Sequence, residues 1–231
     1  MFHIKENIDK LLMPKAIIYD WDNTIVDSWP LIQKSIDKTM IAMGREPWGL
    51  EKVKNSVHKS MRESFPDIFG DRWQEAGQIY KNSYLDLHLE IDFLPNAKNL
   101  IESVAKADIL QFIISNKMGP TLRQECQSLG VKDLFFSVIG AGDASSDKPS
   151  TSQVDLALIG TDLDPSKDEI WFIGDSIADI ECAINSKCRP IIFGAEEGVI
   201  SKSIPSSLIK EKSIISYFNH SDLIDVIKKI T

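Results

Sequence analysis

The sequence predicts an α/β protein: a doubly wound parallel sheet with an all-helical domain inserted near its start. Two observations carry this. From Phe93 onward, apolar runs of strand length alternate with segments of helical spacing, the pattern of a parallel sheet with right-handed crossovers. From Trp29 to about Glu90 the spacing is helical and strand signals are lacking, so a helical insertion interrupts the sheet after its first strand. The expected core is residues 1–26 and 93–231, and the expected insertion is residues 27–92.

Residues 1–14 read as a short leader closed by Pro14. Lys15 to Tyr19 follows as the first strand. Its continuous apolar run suits a strand buried on both faces, and Asp20 and Asp22 arrive where it ends. In the insertion, Leu31, Ile32, Ser35, Ile36, Met40 and Met43 fit one helix face, and Gly44 is a C-terminal stop. A second helix is expected from Trp48 to about Val57. A third fits Trp73 to Leu89, with Trp73, Ala76, Tyr80, Tyr84 and Leu87 on its apolar side. Between them the stretch HKSMRESFPDIFG reads as a loop. Trp29, Trp48 and Trp73 read as packing residues, since large aromatics bury much area.

After Pro95 a helix spans Ala97 to Ala105, consistent with proline at a first turn. The alternation then continues. Strands are expected at Ile109–Ile114, Phe136–Ala141, Glu169–Ile173, Pro190–Phe193 and Ser213–Tyr217. Helices are expected at Pro120–Leu129, Thr151–Ile159, Ile177–Ser186 and Ser221–Ile230, with Gly130 ending the first of these.

Composition narrows the function. The chain has 231 residues, 43% apolar and 26% charged, which suits a packed core and argues against disorder. Its net charge of −8 argues against a nucleic-acid partner. Cys126, Cys182 and Cys188 are odd in number and lack CxxC spacing, so they read as reduced thiols of a cytoplasmic protein. The first fifteen residues mix charges and lack the apolar centre of a secretory signal. No apolar run reaches the length of a membrane span, so no membrane partner is expected.

Four expected strands end in polar residues: Asp20-Trp21-Asp22, Ser115-Asn116-Lys117, a loop with Asp147-Lys148-Pro149, and Gly174-Asp175-Ser176 with Asp179 beyond. Each alone has an ordinary reading. Asp175 or Ser176 can cap a helix, Asp179 suits its first turn, and Lys148 can be a surface lysine. Together, at successive strand ends, they converge where ligands of open α/β sheets bind.

In this order the motifs closely resemble the haloacid dehalogenase (HAD) superfamily of hydrolases, in its phosphoglycolate-phosphatase-like branch. Asp20, Asp22 and Thr24 match the Asp-x-Asp-x-Thr motif. Ser115 matches the Ser or Thr ending a strand, Lys148 the lysine before a helix, and Gly174, Asp175 and Asp179 the Gly-Asp-x-x-x-Asp motif. The runs YDWDNTIVDS and FIGDSIADIECA are similar to that branch, and the insertion stands where the branch carries a cap domain on its Rossmann-like core. Asn23 departs from the glycine common there, but Asn tolerates unusual backbone angles.

The resemblance implies a phosphatase acting on a small phosphorylated metabolite, with phosphoglycolate the first to try. Asp20 is the implied nucleophile, forming an aspartyl-phosphate, and Asp22 the implied acid and base. Thr24 fixes Asp22 or the loop. Ser115 and Lys148 bind phosphoryl oxygens, helped by backbone donors at Asn116. Mg²⁺ is the implied cofactor, held by side chains of Asp20 and Asp175 and the backbone carbonyl of Asp22. Asp179 holds a water on the metal or orients Lys148. An aspartate at position 22 favours phosphoryl transfer over dehalogenation, where a halide needs no acid.

The insertion is expected to close over the site, exclude water and set specificity. Lys59 and Arg62, in a basic stretch between helices, suit a substrate carboxylate or second phosphate, and Arg45 is a further substrate-binding candidate. Two alternatives use the same motifs: a phosphomutase of the β-phosphoglucomutase type, and a non-catalytic binding protein on this fold. The second would need a broken motif, and all four are intact.

Overall fold

The computed structural model describes residues 2–4, 11–56, 61–194 and 214–230. The chain forms two units, one of Met1–Val26 with Phe93–Thr231 and one of Asp27–Asp92.

The first unit is built on a parallel sheet. Its strands are β1 (Phe2–His3), β2 (Ala16–Tyr19), β3 (Leu110–Met118), β4 (Ser137–Ala141), β5 (Ile170–Gly174), β6 (Arg189–Phe193) and β7 (Ile215–Tyr217). Their order is β1-β7-β6-β5-β2-β3-β4, and every pairing is parallel. β2 lies between β3 and β5, with Ala16 opposite both Leu110 and Ile170. To one side of β2 the chain continues through β3 and β4, and to the other through β5, β6 and β7. This reversal of strand order leaves a crevice at the carboxyl end of β2, which is where open α/β sheets take ligands.

The apolar runs explain the layers. Side chains of a strand alternate between faces. Ala16, Ile18, Phe112, Ile114, Ile170 and Phe172 form one face, which packs on Val154 and Ala157 of α7 (Ser152–Ala157) and on Cys182 and Ala183 of α8 (Ile177–Asn185). Ile17, Tyr19, Ile113, Trp171 and Ile173 alternate with these residues and are equally buried. Among the described residues, this unit also has α5 (Ala97–Lys106), α6 (Gly119–Ser128) and α9 (His220–Ile230), and α5 packs against α9. The three cysteines are buried and unbridged. Among the described residues, no helix is long and apolar enough to cross a membrane.

In this unit, two elements differ from expectation. The leader contributes an edge strand, because Phe2 and His3 pair with Ile215 and Ser216 of β7. A two-residue strand is too short to show a period. β3 also runs past Ile114 through Ser115, Asn116 and Lys117. After an irregularity its ladder with β4 resumes at Met118, opposite Ala141.

The second unit holds α1 (Trp29–Ala42), α2 (Gly49–Ser56), α3 (Met61–Phe69) and α4 (Trp73–Leu87). Ile36, Met40, Met43, Val53, Phe65, Phe69 and Ala76 make its core, with Trp29, Trp48 and Trp73 packed against it. The expected loop HKSMRESFPDIFG is corrected here: residues from Met61 onward form α3, while His58, Lys59 and Ser60 lie outside the described residues. Pro66 sits inside that helix, at a cost of about 3 kcal/mol. Phe65 and Phe69, one turn apart, are both buried, with ring centroids 5.0 Å apart, and Phe65 lies 5.4 Å from Tyr80. Burying two such rings contributes about 3–6 kcal/mol, which outweighs the proline.

Phe65→Ala should therefore cost about 3–5 kcal/mol in denaturant unfolding. A loss below about 0.5 kcal/mol, the value for a solvated loop residue, would contradict the packing of α3.

Candidate active site

The site grows from the end of β2. The Asp20 amide donates to the Ile173 carbonyl at 2.8 Å, so the ladder with β5 carries one residue past the strand. The chain then turns tightly. The Trp21 carbonyl accepts from the amides of Ile25 at 2.9 Å and Val26 at 3.1 Å, and the Asn23 amide donates back to the Val26 carbonyl at 2.8 Å. This turn places Asn23 at φ 57°, a left-handed conformation that Asn accepts more readily than most residues.

At the centre is one buried ammonium. Lys148 Nζ lies 2.7 Å from Asp20 Oδ1 and 2.7 Å from Asp179 Oδ1, and the side chains of Lys148, Asp20 and Asp179 are 2%, 10% and 2% exposed. The other Asp179 oxygen accepts from the Ser176 amide at 2.9 Å and its hydroxyl at 2.5 Å. Asp179 thus closes the start of α8 while orienting Lys148. Gly174 is required by this approach: a Cβ there would stand 2.3 Å from Asp179 Cγ. Thr24 Oγ1 donates to Asp175 Oδ1 at 3.2 Å, so it ties the β2 loop to the end of β5 and not to Asp22.

Carboxylate oxygens of Asp20, Asp175 and Asp179 all lie within 4.8 Å of one another. Burial, together with the Asp179 charge, pushes the Asp20 carboxyl up to about 7 against the pull of Lys148. Burial and the charges of Asp20 and Asp179 hold Asp175 well above the usual carboxylate range. Burial works against the Lys148 ammonium, yet the facing carboxylates of Asp179 and Asp20 raise its pKa. With all three acids ionised, one ammonium would leave two negative charges unbalanced, and the raised Asp20 and Asp175 values reflect that cost together with burial. Hard oxygen donors with that deficit fit a divalent cation such as Mg²⁺.

Two side-chain amides position Lys148, one exposed on β3 (Asn116) and one fully buried (Gln153). Asn116 Oδ1 accepts from the Lys148 amide at 3.0 Å while its Nδ2 donates to the Lys148 carbonyl at 3.1 Å, a two-point brace from the end of β3. Gln153 Oε1 also accepts from the Lys148 amide, at 3.2 Å, and Gln153 Nε2 donates to the Ser115 carbonyl at 3.1 Å. Ser115 is 2% exposed, and its Oγ accepts from the Lys117 amide at 3.2 Å. The role of Asn116 here is carried by its side chain. Gln153 was invisible to sequence reasoning, since a glutamine in the first turn of a helix has no distinguishing pattern.

Asp22 stands apart from the carboxylate group. Its Oδ1 lies 2.7 Å from Lys117 Nζ, and Lys117 Nζ lies 2.6 Å from Glu125 Oε2 on α6. Trp21 Nε1 donates to the same Glu125 oxygen at 2.8 Å. The Lys117 and Glu125 side chains are 6% and 0% exposed. Burial alone would depress Lys117, but Asp22 and Glu125 raise its pKa. Burial raises Glu125 despite Lys117. Trp21 thus shares a network with Asp22 through Glu125 and Lys117. Lys117 had one available signal: it lies two residues past Ser115 on the same strand.

Of the sequence-predicted residues, the structure brings together Asp20, Thr24, Asp175, Asp179 and Lys148, with Asn116 and Ser115 bracing them. Asp22 joins Lys117. In the helical unit, the Arg45 guanidinium donates to the Ile68 carbonyl and lies 5.3 Å from the Phe69 ring centroid. Arg62 belongs to α3, and Lys59 lies outside the described residues.

A family model described as haloacid dehalogenase-like hydrolase matches residues 17–193. A phosphoglycolate phosphatase of Photorhabdus laumondii subsp. laumondii is 25% identical over 225 residues, covering 92% of each chain. The pyrophosphatase PpaX of Listeria monocytogenes serotype 4b is 28% identical over 177 residues, 74% of this chain and 79% of that protein. The crystal structure of a HAD-superfamily hydrolase from Ehrlichia chaffeensis superposes with a TM-score of 0.64 at 30% identity, covering 95% of this chain and 98% of that one. The matched segment runs from β2 to β6 and so spans all four strand ends that build the site. The chain belongs to the haloacid dehalogenase-like hydrolase family.

Proposed function

We propose that this chain is a Mg²⁺-dependent phosphatase that cleaves a small phosphorylated metabolite through an aspartyl-phosphate on Asp20. The observation that carries the reading is the buried carboxylate of Asp20 at the end of β2, 2.7 Å from the Lys148 ammonium and beside Asp175 and Asp179. The names of the phosphoglycolate phosphatase and pyrophosphatase relatives support the substrate class.

The chain's own groups divide the work. An Asp20 oxygen attacks phosphorus while the bond from phosphorus to the leaving oxygen breaks. Asp22 gives that oxygen a proton. In the second half, Asp22 takes a proton from a water that attacks the same phosphorus, the Asp20–phosphorus bond breaks, and inorganic phosphate leaves. Lys148 offsets charge on the phosphoryl oxygens and the repulsion between Asp20 and Asp179. The Ser115 hydroxyl accepts from the Lys117 amide, so its own hydrogen is the donor for a phosphoryl oxygen. Bound through Asp20, Asp175 and the Asp22 backbone carbonyl, Mg²⁺ would supply the positive charge that lets a carboxylate approach a phosphate dianion. Asp179 serves Lys148. We assign the helical unit the selection of substrate, through Lys59 and Arg62.

Hydrolysis of phosphoglycolate and of pyrophosphate should be tested with Mg²⁺ and with the metal chelated. Turnover of at least one compound should require the metal. Asp20→Asn should fold and lose activity on the order of 1000-fold or more. Metal-independent turnover, or an active Asp20→Asn protein, would contradict the reading. Lys59→Ala and Arg62→Ala should shift the relative kcat/KM of phosphorylated metabolites; unchanged preference in both would remove these residues from substrate selection.

A further inference from the structure

Asp22, Lys117, Glu125 and Trp21 form a second polar network beside the first. Its construction is one-ended. Glu125 is wholly buried on α6 and is held by Trp21 Nε1 at 2.8 Å and Lys117 Nζ at 2.6 Å. Lys117 is 6% exposed and reaches Asp22 Oδ1 at 2.7 Å. Asp22 is the member with the most solvent access, 27%. Burying a carboxylate and an ammonium is a poor way to stabilise a fold, because desolvation cancels most of the attraction. What such a network does well is fix geometry, since each member has one low-energy place to be. Here the elements fixed are the β2 loop, the end of β3 and the second turn of α6, and the side chain at the open end is Asp22.

We infer that Lys117, anchored by Glu125, is a positioning residue that sets the carboxylate orientation of Asp22 for its proton transfers. This rests on the phosphatase reading above. Lys117 makes no bond to substrate in this role and moves no proton. It holds one Asp22 oxygen so that the group meets the leaving oxygen in the first step and the attacking water in the second. A displacement of about 1 Å in such a group is enough to cost on the order of 100-fold.

The role has a signature that general disruption lacks. Departure of p-nitrophenolate needs no acid, whereas departure of an alkoxide does. Lys117→Met alone would strand the buried Glu125 charge, so the paired variant Lys117→Met/Glu125→Gln is preferred, with Gln retaining an acceptor for Trp21. The ratio of kcat/KM for an alkyl phosphate to that for p-nitrophenyl phosphate should fall on the order of 100-fold. Hydrolysis of the phosphoenzyme also needs Asp22, so p-nitrophenolate should appear in a burst followed by a slow steady rate. Adding the pair to Asp22→Asn should leave the ratio of that single variant unchanged, because residues acting as one unit are not additive.

An equal fall for both esters would overturn the inference and leave Lys117 structural. A rise in KM for both esters with kcat preserved would also overturn it, making Lys117 an anion contact. If wild-type protein with Mg²⁺ hydrolyses neither ester, the phosphatase reading fails first and this inference falls with it.

Discussion

The pairing of one buried ammonium with two carboxylates governs this site. Lys148 stands at 2.7 Å from both Asp20 and Asp179 with almost no solvent contact. An unpaired carboxylate at either place would cost several kcal/mol to bury. The lysine allows acids from the end of β2 and the first turn of α8 to lie close together, and Asp175, just past β5, joins them within carboxylate reach. Burial first, and their mutual repulsion second, make Asp20 and Asp175 hold protons more tightly than ordinary aspartates. A site in that state favours any added positive charge.

The scaffold places Lys148 by backbone and amide contacts in place of further charge. Asn116 grips both its amide and its carbonyl, and Gln153 links it to the Ser115 carbonyl. Since Asn116 and Ser115 belong to β3, the position of the ammonium is referred to the central sheet. Thr24 does the same for Asp175 from the β2 loop. Parallel strands β2, β3 and β5 deliver these groups to one edge because all three point the same way. The second network, from Trp21 to Asp22, is referred to the same strands and to α6. Asp20 and Asp22 thus sit two residues apart on one loop, with Asp20 paired to Lys148 and Asp22 to Lys117.

Much of this was legible in the sequence, for a physical reason. Buried parallel strands are continuous apolar runs, so Asp20, Ser115 and Asp175 stand out as polar residues at their ends. Asn23 stands where the related branch commonly has glycine, and the structure holds it at φ 57°. Partners depend on three-dimensional packing and were not legible. Glu125 and Gln153 lie within expected helices and carry no motif that singles them out. The Asn116 side chain rather than its backbone proved to be the brace. Pro66 and its charged neighbours disguised α3, because proline and charge also mark loops; only Phe65 and Phe69, one turn apart, hinted at a buried helix face. Phe2 and His3 carry too few residues for a strand period to show.

The central proposal is that a carboxylate oxygen of Asp20 receives the phosphoryl group. The most direct measurement is acid quenching of the enzyme during turnover with Mg²⁺, followed by mass spectrometry of its peptides. The account predicts a phosphoryl group on the peptide containing Asp20, absent from Asp20→Asn protein treated identically. Turnover without a phosphoryl group on Asp20, or with one on a different residue, would contradict it.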